Sequence, residues 1–143
     1  MSQRTQTLPT VRARLPTSRA MAAVLAGDLL VLFAFVATGQ YTHGYYFWEV
    51  PVYAAKVMVP FVVAWLAVFP AIGLYASDRL RSYRRTALLV VVAWLGVSLL
   101  GGAIRATPLF PGGSPPSFLV ANVVFGLLFF LPWRLFVSRR LRR

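Results

Sequence analysis

Four polar residues stand inside stretches that are otherwise almost wholly apolar: Asp28, Lys56, Arg105 and Asn122. A carboxyl group in such a segment can carry a proton, bind a ligand or accept hydrogen bonds from a neighbouring helix. An ionisable residue within a membrane segment marks a functional site by default. Arg105 closes a face that reads Trp94, Ser98, Gly101, Arg105 at i, i+4, i+7 and i+11, which puts an aromatic ring, a hydroxyl and a guanidinium on one stripe of a helix. Asn122, Gly126, Phe129 and Trp133 follow the same spacing further along. Small residues favour close helix contact, so both stripes are expected to face other helices, with Asn122 hydrogen-bonding across the interface.

Other chemistry is sparse. His43 and Glu49 lie eleven residues or fewer beyond the first apolar run, but one histidine and one carboxylate fall short of the three protein ligands of a catalytic zinc site. His43 is expected to make an interfacial hydrogen bond or to cap a helix end. The chain has no cysteine, which excludes disulfides, thiolate metal sites and thiol nucleophiles. It offers no nucleophile–base–orienter set, glycine-rich phosphate loop or paired carboxylates. No catalytic residue, metal or cofactor is therefore expected, and the protein is read as not an enzyme.

The elements that must position these residues are four apolar runs, at 20–38, 51–75, 86–105 and 118–137. Hydrophobic residues make up 59% of the 143 and charged ones 13%, against about 25% charged in a soluble domain. A run of nineteen residues, such as 20–38, rises about 28 Å as a helix, enough for the hydrocarbon core. Asp28 lies about 12 Å along the first run, near mid-membrane. There it costs about 2.5–3.5 kcal/mol, offset by roughly 0.3–0.6 kcal/mol from each Leu, Val or Phe around it. Pro51 suits a first helical turn, whereas Pro60 and Pro70 should kink the second helix. The expected architecture is an all-α integral membrane protein: a four-transmembrane-helix bundle over 20–138, between a disordered basic tail, 1–19, and a second basic tail, 139–143.

The formal net charge of +12 resides in short flanks. Arg4, Arg12, Arg14 and Arg19 precede the first run, and Arg79, Arg81, Arg84 and Arg85 separate the second from the third. Arg139, Arg140, Arg142 and Arg143 close the chain, while the loops 39–50 and 106–117 carry no Arg or Lys. This asymmetry places both termini and the loop 76–85 in the cytoplasm and the other two loops outside a cell membrane. The basic flanks meet anionic headgroups, and no folded module is left to bind nucleic acid. Trp133 and Arg134 are expected to anchor the last helix at the cytoplasmic interface. Asp28, Lys56, Arg105 and Asn122 then make either a polar pocket open to the outer side or a set of packing hydrogen bonds with two snorkelling cations.

Several short motifs, taken in order, resemble a known family. Asp28 followed by an apolar run to Gly39 and His43-Gly44 is similar to the opening of a prokaryotic membrane family, domain of unknown function 3054. Pro60-Phe61 with Trp65, Arg105-Ala106 with Phe110, and Trp133-Arg134 resemble its later motifs. The resemblance covers roughly residues 24–136. Ala64 stands before Trp65 where the family pattern has Gly, which bears on packing. The resemblance implies a small multi-pass membrane protein and brings no activity with it.

Two functions are consistent with these residues. One is a non-enzymatic membrane component that binds partner helices or lipids, as a homo-oligomer or with a partner membrane protein. Asp28→Asn, which keeps hydrogen bonding, should then be tolerated. The other is a small carrier or ligand-binding protein using Asp28 as an intramembrane protonation or binding site near Arg105 or Lys56.

Overall fold

The computed structural model describes residues 19–76 and 82–141. The basic tail expected over 1–19, apart from Arg19, lies outside the described residues. So do Arg79 and Arg81 of the basic loop and the terminal Arg142 and Arg143.

The described chain is four helices: α1 (Arg19–Thr42), α2 (Pro51–Ile72), α3 (Tyr83–Arg105) and α4 (Pro116–Leu141). They contain 24, 22, 23 and 26 residues, or about 33–39 Å at 1.5 Å per residue. Each is long and apolar enough to cross a membrane. Prolines open α2 and α4, where the missing N–H has no intrahelical partner to lose. Ser82 caps α3, its hydroxyl accepting from the Arg85 N–H.

Several helix ends differ from the apolar runs: α3 begins at Tyr83, ahead of its run, and α4 extends beyond its own at both ends, from Pro116 to Leu141. The second run reaches Tyr75, but α2 stops at Ile72 because Gly73 turns left-handed (φ 82°). The Gly73 and Leu74 N–H groups then fold back to the carbonyls of Pro70 and Phe69, the usual closure of a glycine-ended helix. The first run ends at Thr38, whereas α1 continues through Gly39, Gln40 and Tyr41 to Thr42. Pro60, Pro70 and Pro132 lie within helices that stay continuous.

Backbone contacts join α1 to α2, α2 to α3, α3 to α4 and α4 to α1, and neither diagonal pair approaches closely. Short connections make each neighbour antiparallel, so the helices form a closed ring of four. Aromatic rings fill its centre: Phe130 lies 5.6 Å from Phe69 and 4.8 Å from Trp94, and Phe35 lies 5.4 Å from Trp94 (ring centroids). Gly126 makes room for this, since a Cβ there would overlap the Trp94 indole.

The surface is apolar and the interior partly polar. Leu30 and Val52 are each 69% exposed, while Asp28, Ser98 and Arg134 are wholly buried. In water such a surface is an aggregation liability, whereas in lipid it is the face that meets the solvent. The fold is therefore an all-α, membrane-spanning four-helix bundle.

Candidate functional site

Most of the buried polar residues fall into three groups along the bundle. At the end bearing the basic flanks, Asp28 of α1 is fully enclosed. Its Oδ2 accepts from the Tyr75 hydroxyl at 2.5 Å and from Arg134 Nη2, with which it forms an ion pair. Its Oδ1 accepts from Trp133 Nε1 at 2.9 Å. Gly27 lets the Trp133 ring lie against α1, for a Cβ there would run into it. Arg134 also donates from Nη1 to the Leu74 carbonyl at 3.1 Å, just past the end of α2, where the helix dipole is negative and carbonyls lack intrahelical partners. Its guanidinium packs over the rings of Tyr75 and Phe69, at 5.0 and 5.5 Å. One cation thus ties α4 to α1 and to the turn after α2.

Midway along the bundle, α3 and α4 are clasped. Trp94 Nε1 donates to the Asn122 carbonyl at 3.0 Å, and Asn122 Nδ2 donates to Ser98 Oγ at 2.8 Å. Trp94, Ser98, Gly101 and Arg105 are all buried, so that stripe faces the bundle. On α4 the buried stripe is Asn122, Gly126, Phe130, Arg134 rather than one continuing to Phe129 and Trp133. The i+4 ridge carries Arg134 inward and leaves Trp133 on the flank toward α1.

At the other end, a half-open cavity of about 370 Å³ lies between α1 and α4, with α2 and Arg105 of α3 behind it. Phe35, Phe61, Phe125 and Phe129 make its apolar walls, and Gln40, His43, Tyr53 and Arg105 gather at its polar end. Arg105 is 8% exposed; its Nε donates to the Gly113 carbonyl at 2.8 Å, and its guanidinium lies 4.7 Å from the Phe118 ring centroid. Arg105 Nη1 and Gln40 Oε1 are buried without a protein hydrogen-bond partner.

A single pocket of Asp28, Lys56, Arg105 and Asn122 is therefore not what the fold builds. Asp28 is paired with Arg134 at one end, and Arg105 and Asn122 line the cavity toward the other. Lys56 is exposed, sharing a surface groove with Glu49 and the segment Pro108–Pro111. His43 sits in the cavity wall, its backbone N–H donating to the Gln40 carbonyl at 3.0 Å in the turn that ends α1. Arg134, placed by the sequence at the membrane interface, is instead wholly buried. Tyr75 and Gln40 carried no signal in the sequence, since each reads as the polar edge of an apolar run.

Comparison with known families adds one finding. A family described as protein of unknown function (DUF3054) matches residues 25–137. The chain belongs to that family. The DUF3054 match runs from just before Asp28 to just past Arg134, so the carboxylate, its cation, the α3–α4 clasp and the cavity all lie within it. No curated protein and no solved structure matches the chain.

Proposed function

We propose that this DUF3054 protein is a non-enzymatic, multi-pass component of the cell membrane that holds a lipid-like amphiphile between α1 and α4. The observation that carries the reading is the cavity itself. Its volume of about 370 Å³ falls in the range of small-molecule sites, roughly 300–1,000 Å³, and apolar walls with a few convergent polar groups are what such sites present. The aromatic walls suit a hydrocarbon tail, and the polar end suits a headgroup.

The charge pattern supports an orientation. Both loops at the cavity end, 43–50 and 106–115, lack Arg and Lys, while the opposite end carries the basic flanks. By the positive-inside rule both termini are cytoplasmic and the cavity lies in the outer half of the membrane. Asp28 favours the binding reading over a protonation-driven carrier. Its carboxylate accepts from three donors and does not line the cavity, so its role is to close the bundle.

Filling the cavity tests the proposal. Ala121→Trp and Thr38→Trp each put an indole into its wall. Lipid extracted from the purified wild-type protein should contain an amphiphile that is depleted in both variants. An unchanged extract from two folded variants would rule the cavity out as a binding site.

A further inference from the structure

The polar end of the cavity holds a guanidinium fixed on three sides. Gly113 takes the Nε–H, and the Phe118 ring covers one face. Gly112, at φ 91°, brings the backbone so close that a Cβ would overlap Nη2. These contacts take up one N–H and leave the two terminal nitrogens, of which Nη1 is a buried donor with no partner in the protein. Buried donors of this kind are nearly always satisfied, by protein, water or ligand. Among the described residues lining the cavity none is acidic, so no protein carboxylate neutralises Arg105 there. Gln40 Oε1, also buried and unpartnered, adds an acceptor to the same wall.

Resting on the reading of the cavity as an amphiphile site, we infer that the occupant carries an anionic oxyacid head, a carboxylate or a phosphate, held by Arg105 Nη1. A charged, fixed donor in an apolar surround binds an oxyanion more strongly than a neutral oxygen. The acyl tail lies along Phe35, Phe125 and Phe129, and the Gln40 side-chain carbonyl accepts from the P–OH of a monoanionic phosphate or from a water held by a carboxylate. A free fatty acid and a phosphatidic acid both meet this description.

The test uses the full chain in phosphatidylcholine vesicles doped with equal amounts of oleic acid, dioleoylphosphatidic acid and dioleoylglycerol, released gently for native mass spectrometry. The acidic lipids should be retained over dioleoylglycerol, and whichever acid dominates identifies the head. Arg105→Gln should lose about tenfold of that preference, the effect of removing a charged hydrogen bond, while Arg105→Lys keeps most of it. Matching helical circular dichroism establishes that each variant is folded. Equal retention of dioleoylglycerol, or a preference unchanged in folded Arg105→Gln, would overturn the anionic head while leaving cavity binding standing. Retention of no lipid at all would overturn both.

Discussion

Asp28 and Arg134 lie 106 positions apart in the chain and meet as a wholly buried ion pair between the first helix and the last. The pair closes the ring of helices at the end carrying the basic flanks. It also brings two costly charges into the membrane as one neutral unit, with Tyr75 and Trp133 donating to the same carboxylate. A lone charge at that depth would oppose insertion, but hydrogen-bonded and paired it ties α1, α4 and the turn after α2 together.

Breaking that pair from one side should be costly and from both sides mild. Asp28→Leu or Arg134→Met alone is expected to destabilise by about 3–5 kcal/mol, the penalty for an orphaned buried charge. The double substitution should recover most of that loss. Thermal unfolding in micelles, run as a double-mutant cycle, measures the coupling. The partner also changes the expectation for Asp28→Asn: an amide keeps hydrogen bonds but leaves the Arg134 charge uncompensated, so this variant should be destabilised as well.

The donors around Asp28 should outweigh those of the α3–α4 clasp. Tyr75→Phe removes a hydrogen bond to a charged group, worth about 1.5–3 kcal/mol. Asn122→Leu removes a neutral interhelical bond, for which about 0.6 kcal/mol is typical in a membrane. Equal losses in the same unfolding assay would contradict the unequal roles assigned to the two clusters.

Close packing at Gly126 is a third point of failure. The Trp94 ring occupies the space a Cβ would take, so Gly126→Leu should overpack the centre by about 1–3 kcal/mol or more. Trp94→Ala in the same chain should relieve part of it, which a comparison of melting temperatures would read.

Much of this is legible in the sequence, and what it conceals is the partner of Asp28. Four spans followed from four apolar runs, because membrane helices need long uninterrupted hydrocarbon-facing surfaces. The partner of Asp28 did not follow, although depth alone could have found it. Asp28 lies nine residues past the start of α1 at Arg19, and Arg134 seven residues before the end of α4 at Leu141. Both are therefore about 10–14 Å from the same end of the bundle. Lys56, near the start of α2, and Arg105, the last residue of α3, belong to the opposite end. The apolar run 20–38 hid this by centring on Asp28, whereas the helix continues to Thr42 and moves its own midpoint outward. Arg134 was masked by its neighbours, since Trp133 and the basic tail imitate an interfacial anchor. The cavity is not legible in the sequence, because its lining comes from all four helices, with Phe35, Phe61, Arg105 and Phe129 each on a different one, which spacing along a single helix does not encode.

Orientation can be tested cleanly because the chain contains no cysteine. His43→Cys and Leu109→Cys, in the two loops without Arg or Lys, should react with an impermeant maleimide on intact cells. Ser82→Cys should react only after permeabilisation. The reverse pattern would put the cavity in the inner half of the membrane.

The central claim is a division of labour, in which Asp28 and Arg134 hold the bundle and Arg105 holds a ligand. Native mass spectrometry of the protein released from its own membrane tests it most directly, comparing wild type, the Asp28→Leu/Arg134→Met double variant and Arg105→Gln. A bound amphiphile should be present in the wild type, persist in the double variant and be strongly depleted in Arg105→Gln. An adduct lost from the folded double variant and kept in Arg105→Gln would contradict it and return the ligand site to Asp28.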